Sequence, residues 1–148
     1  MRITTRGRYA LRASLALAQL DKGGVPVSIN SLSEQENISS VFLEQIFFKL
    51  RKAGIVSSVR GPGGGFRFAL PLDQLTVKEI LDAAGENLDI SYCDKQKDDC
   101  LHIGDCLSHQ ILFGAHELIK NYFSGITIAS ILKKDRDTIP ENASRPKD

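Results

Sequence analysis

The sequence predicts a mostly α-helical fold with one small β-hairpin, closed by a long C-terminal helix. Three observations predict it. Apolar residues recur at helical spacing in several separate stretches. A single Gly-Pro-Gly-Gly-Gly run, Gly61 to Gly65, sits between two short β-prone segments. Beyond residue 107, Ile111, Leu112, Ala115, Leu118, Ile119, Tyr122 and Phe123 form an apolar stripe broader than so small a domain needs for itself.

Taken in order, Tyr9, Leu11, Leu15, Ala16 and Leu17 with interspersed alanines fit a buried first helix over about Thr5 to Leu20, ended by Asp21-Lys22-Gly23-Gly24. A short second helix fits Ile29 to Glu36, with Leu32 inward and Asn37 as its breaker. Ser39 is an N-cap residue for a third helix, in which Leu43, Ile46, Phe47 and Leu50 repeat up to Ala53 before Gly54. Two helices joined by so short a turn match a helix-turn-helix, whose second helix enters the DNA major groove N-terminus first. Ile55 to Val59 and Phe66 to Leu70 then read as the two strands of a hairpin, the wing of a winged helix-turn-helix. Its glycine turn is no phosphate-binding loop, because it leads into a strand and lacks the Lys-Ser/Thr pair. Thr76 and Glu79 form a capping-box pair before Ile80, Leu81, Ala83 and Ala84, a fourth helix ending at Gly85. Thr127 can cap a last short turn through Leu132. The expected organisation is a DNA-binding domain over 1–85, a metal-binding loop over 86–106, a dimerisation helix over 107–132 and a disordered tail over 133–148.

Charge is distributed in blocks. Residues 1–70 hold ten Lys or Arg against four acids, a net of +6, whereas residues 71–132 hold four against ten, a net of −6. A basic first half suits a polyanionic partner. On the third helix Ser39, Ser40, Glu44, Gln45 and Lys49 lie on the side away from Leu43, Ile46 and Leu50. Gln can pair with adenine, Glu can accept from cytosine, and Ser can meet a base or a phosphate. Arg60 and Arg67 flank the glycine turn, whose Gly63 and Gly64 make a tip slim enough to enter a minor groove or lie along phosphates. Arg2, Arg6 and Arg8 add phosphate contacts from the start of the first helix. A helix like the third is by itself also the solvated face of an ordinary bundle, and wings can bind proteins. The recurrence of positive charge on three elements favours double-stranded DNA.

All three cysteines, Cys93, Cys100 and Cys106, fall within fourteen consecutive residues. No apolar run approaches the roughly 20 residues of a membrane span, and Arg8 and Arg12 interrupt the first helix, so neither a membrane segment nor a secretory signal is expected. In the reducing cytoplasm an odd, clustered set of thiols points to metal or redox chemistry. Six residues separate the first pair and five the second, wider gaps than the tight pairs of structural zinc sites. His109 follows Cys106 by three residues, on one face of a helix beginning there, and is the natural fourth ligand. Zinc on the same four donors is the alternative. No nucleophile-base pair or catalytic carboxylate set emerges, so an enzyme is not expected.

With these residues in place, the chain resembles the IscR-type iron-sulfur regulators of bacteria from Met1 to about Leu132. The resemblance is carried by Met1-Arg2-Ile3-Thr4, Gly7-Arg8-Tyr9-Ala10, Leu43-Glu44-Gln45, Leu50-Arg51-Lys52, the wing from Val56 to Gly65, and Cys106-Leu107-Ser108-His109. It implies a homodimeric winged-helix transcription factor with one cluster per subunit, commonly 2Fe-2S, held by Cys93, Cys100, Cys106 and His109. It also implies DNA contacts from Ser40, Glu44, Gln45 and Arg60. The first cysteine gap is one residue longer than is usual in that family, which leaves 4Fe-4S open. Nitric-oxide-sensing relatives can ligate iron through an acid near the start of the first helix. This chain has Arg8 there, which cannot.

Overall fold

The computed structural model describes residues 2–90 and 105–133. The predicted loop from Ser91 onward and the predicted tail after Lys133 lie outside the described residues, and with them Cys93 and Cys100.

Helix α1 spans Thr5–Leu20, as its apolar pattern requires, and Thr4 caps it by accepting a hydrogen bond from the Gly7 amide. Its buried face is mostly alanine, Ala10, Ala13 and Ala16 with Leu17, so that neighbouring helices approach its backbone closely. Helix α2 (Ile29–Glu36) starts at Ser28, whose hydroxyl accepts from the Ser31 amide at 3.1 Å, and stops at Asn37 in the left-handed conformation. Asparagine tolerates that conformation better than other non-glycine residues. Helix α3 (Ser40–Lys52) follows after Ile38, which is buried and fixes the turn. Ser39 occupies the N-cap position as expected, but its hydroxyl makes no capping bond and stays exposed.

Strands β1 (Val56–Val59) and β2 (Gly65–Phe68) pair antiparallel, Val56 opposite Phe68 and Val59 opposite Gly65. Both are shorter than the pattern suggested. Ile55 is buried beneath the sheet, and beyond Phe68 only the Ala69 amide still bonds back, to the Ile55 carbonyl at 2.9 Å. A bridge invisible to sequence reading anchors the wing. The Val27 and Phe66 amides each donate to the other's carbonyl at 2.8 Å, so the segment before α2 adds a third short rung. Gly65 is required there, since a Cβ would lie 2.2 Å from the Val27 carbonyl oxygen.

Helix α4 (Val77–Ala84) has the predicted capping box, with the Glu79 amide donating to the Thr76 hydroxyl at 3.2 Å and the Thr76 amide donating to the Glu79 carboxylate at 2.8 Å. Gly85 ends it at a positive φ of 88°. The C-terminal stretch assigned to dimerisation over 107–132 divides into α5 (Leu107–Gly125) and, capped by Thr127 as expected, α6 (Ile128–Leu132). The cause lies in the pairing between them. The Val77 amide donates to Ile126 and the Ile128 amide to Leu75, both at 2.9 Å, and Ile128 is fully buried in the main core. Helix α6 therefore returns to α1, while α5 has no buried residue at all. The core is one cluster of α1, α2, α3 and the wing root, built around Leu17, Leu32, Leu43, Phe47 and Leu50, with Ile80 of α4 and Ile128 of α6 closing it. A smaller cluster of Val77, Leu81, Leu88 and Ile126 joins α4 to the end of α5.

Candidate nucleic-acid interface

The apolar spacing that buries Leu43, Ile46, Phe47 and Leu50 of α3 dictates which residues face outward. Glu44 and Gln45 are exposed, one turn in from the N-terminus, with Ser39 exposed and Ser40 half-buried ahead of them. Lys49 is different. It is half-buried, and its ammonium lies 3.4 Å from the Ala84 carbonyl at the C-terminus of α4, a favourable place for a cation. Val41 and Phe48, not singled out from sequence, share this outward face with 63% and 57% of their surface exposed.

The wing continues this surface. Arg51 of α3 donates to the Ser58 hydroxyl of β1 at 3.2 Å, tying helix to hairpin. Arg67 leans on the Ser57 hydroxyl at 3.4 Å, and Arg60 is exposed at the base of the turn, with no hydrogen bond or ion pair among the described residues. Gly63 sits at a positive φ of 72° at the tip. A Cβ on Gly64 would meet the Val59 carbonyl oxygen at 2.3 Å, so the tight tip depends on glycine.

Arg2, Arg6 and Arg8 are all exposed at the start of α1. With Ile3, Thr4, Thr5 and Phe42 of α3 they line one hollow of about 440 Å³, so the arginines and α3 are neighbours. Glu86 holds this end of α1 in place. Its buried carboxylate accepts from the Thr4 amide at 2.9 Å and from the Thr4 hydroxyl. Burial alone would push the Glu86 carboxyl up, but the Thr4 hydroxyl, the Thr4 and Gly7 amides and nearby Arg6 outweigh it and hold it below the ordinary glutamate range. A Cβ on Gly7 would fall 2.5 Å from Glu86 Cγ, which explains the glycine of the Gly7-Arg8-Tyr9-Ala10 segment. Sequence reading missed this contact because its partners are 82 positions apart.

Of the four expected metal ligands, the described residues include Cys106 and His109. Cys106 occupies the N-cap position of α5 with no side-chain capping bond, and His109 is on the first turn of the same helix, its ring 5.9 Å from that of Phe113. A sulfur and an imidazole three residues apart at one helix start are suited to a shared soft-metal site. The donors present therefore fit an iron-sulfur group, although no group of three or more potential ligands occurs among the described residues. His116 lies elsewhere on α5, half-buried, with Nδ1 3.5 Å from the Asp89 carboxylate.

A helix-turn-helix with an anchored wing, three adjoining cationic elements and an exposed polar face on α3 defines a winged-helix DNA-binding regulator. Comparison with known proteins places it more closely. The family model for Rrf2, described as an iron-dependent transcriptional regulator, matches residues 3–134, and the chain belongs to that family. The HTH-type transcriptional regulator IscR of Aliivibrio salmonicida is 39% identical over 132 residues, covering 89% of this chain and 77% of that protein. Among solved structures, T. potens IscR superposes with a TM-score of 0.71 at 28% identity, covering 100% of this chain and 94% of that one. CymR, the global cysteine regulator of B. subtilis, gives 0.75 at 24% identity, covering 90% and 98%, and supports the fold. The chain is thus a DNA-binding transcription regulator, a non-enzymatic role. Among the described residues no helix is long and apolar enough to cross a membrane.

Proposed function

We propose that the protein is a homodimeric, cytoplasmic regulator that reads a palindromic DNA operator and adjusts its reading to iron-sulfur status. The observation that carries the sensing half is Cys106 with His109 on the first turn of α5, placed beyond a segment rooted at Glu86. Cys93 and Cys100 complete the ligand set, as in the IscR-type pattern, and 2Fe-2S is the expected cluster, with 4Fe-4S the variant. When bound, such a cluster would supply a link, sensitive to iron supply and oxidation, between the cysteine segment and the start of α5.

The chain's own residues do the rest. Ser39, Ser40, Glu44 and Gln45 face base edges, and Arg60 and Arg67 with Gly63 and Gly64 lay the wing along the backbone or minor groove. Arg2, Arg6 and Arg8 contact phosphate, with Lys49 at the rear of α3. Glu86 fixes the arginine-bearing end of α1 and stands at the root of the cysteine segment, so it can carry a change in that segment to the DNA surface. Two copies joined through α5 would meet two symmetric half-sites.

The test is anaerobic purification of the full chain with iron, zinc and acid-labile sulfide analysis. Brown protein absorbing above about 400 nm, with iron and sulfide in equal amounts, is expected. Colourless protein carrying zinc, or retained colour after Cys106→Ala and His109→Ala together, overturns the cluster assignment.

A further inference from the structure

Val41 is the second residue of α3, and nothing among the described residues covers its 63% exposed side chain. Helix propensity does not explain it, because a β-branched residue is a weaker helix former than the alanine or glutamate that would serve on a solvated face. Core packing does not explain it either, since Phe42 and Leu43 supply the inward contacts of this turn. Val41 precedes Glu44 and Gln45 by three and four positions and therefore stands directly over them on one helix face. The three line a groove of about 900 Å³ with Phe48, Lys49 and Lys52, an apolar strip with the exposed Lys52 at its edge. That edge complements a phosphate backbone, and the groove is continuous with the DNA-reading face proposed above, on which this inference rests.

In the major groove only one base edge offers an apolar group, the C5-methyl of thymine. We infer that Val41 is a specificity-determining residue whose methyl groups contact a thymine C5-methyl, next to the bases that Glu44 and Gln45 read. The polar pair distinguishes bases through hydrogen bonds, while Val41 adds a preference for thymine over cytosine at the adjoining position. A helix of the same shape with alanine at 41 would bind with a flatter preference there.

The experiment uses the full chain and a duplex selected by it from a random-sequence pool. Each thymine of that duplex is replaced singly by deoxyuridine, which removes the methyl and nothing else, and binding is measured by fluorescence anisotropy for the wild type and Val41→Ala. One thymine position per half-site is expected at which deoxyuridine weakens the wild type about fourfold, the worth of one buried methyl group. The same replacement should leave Val41→Ala unaffected, and the variant should bind the thymine duplex about fourfold more weakly. Equal effects of every replacement on both proteins, or a uniform loss by Val41→Ala on selected and unselected duplexes alike, overturns the inference. So does a change of oligomeric state in Val41→Ala by sedimentation velocity, which would mean that protein covers this side chain. Thermal melting of Val41→Ala, expected to be unchanged, excludes a folding defect. Failure of the underlying reading face has a separate signature, a selected sequence that is indifferent to both Glu44→Ala and Gln45→Ala.

Discussion

Glu86 shows how a single buried carboxylate can organise a binding surface. A charged group removed from water is tolerated only when hydrogen-bonded, and Thr4 and Gly7 supply the donors that α1 leaves unsatisfied at its N-terminus. Because the folded-state pKa is depressed, Glu86 stabilises the fold above the unfolded-state value and loses that contribution as pH falls through the folded value. Glu86→Gln is expected to cost about 1–3 kcal/mol at pH 7, the usual loss for a charged hydrogen-bonding group. It should also remove part of the acid limb of a stability-against-pH curve below about pH 4.5, measured by urea unfolding across that range. A variant whose stability difference from the wild type is the same at pH 3 and pH 7 would show that the carboxylate's charge is not what matters. Most candidate residues on α3 and the wing were legible because local periodicity fixes which side of an element faces out. Glu86, and the withdrawal of Lys49 to the end of α4, were not, since both depend on partners distant in the chain.

At the level of elements, the wing illustrates how a short hairpin gains rigidity. Two four-residue strands alone are marginal in water, and this pair is anchored by the Val27–Phe66 bridge and by Phe66 packing on Phe47, ring centroids 4.8 Å apart. Gly65→Ala places a methyl against the Val27 carbonyl, so that bridge must open. The expected result is a loss of about 1–3 kcal/mol in thermal or urea unfolding, typical of breaking a buried backbone pair. Operator affinity should fall beyond what the unfolded fraction explains, with helical circular dichroism retained. Undiminished binding would mean that the wing does not need its anchor to meet DNA. The sequence located the hairpin through its glycine run, and it could not reveal the bridge because Val27 carries no pattern of its own. Helix boundaries were recovered well wherever caps were strong, as at Thr76 with Glu79 and at Thr127 with Ser130.

For the whole molecule, α5 is the element that leaves an apolar stripe uncovered among the described residues, although its C-terminal end packs on α4. Leu107, Ile111 and Leu118 are each more than 70% exposed, and with Gly114 and Tyr122 they form one stripe along a helix of 19 residues. Monomeric proteins seldom leave such a stripe in water, and a second copy packed along it is the arrangement the proposed function requires. Ile111→Glu with Leu118→Glu should therefore convert the protein to a monomer in sedimentation velocity, and the loss of paired half-site binding should weaken operator affinity at least tenfold. A double variant that remains dimeric would place the interface elsewhere. Both side chains are exposed and contribute nothing to either core cluster, so melting of the winged domain should be largely retained.

Taken alone, the order of residues determined the winged helix-turn-helix, the outward face of α3, the glycine turn and the clustering of thiols. Each of these is a local property: side-chain periodicity, capping chemistry and the backbone freedom of glycine act over a few residues. Only the tertiary structure decided that the last helix folds back through Ile128 to seal the core, that Val27 pins the wing, and that Glu86 clamps the arginine-bearing end of α1. Those contacts join positions tens of residues apart, and their energy comes from burial and satisfied hydrogen bonds that exist only once the chain has closed on itself.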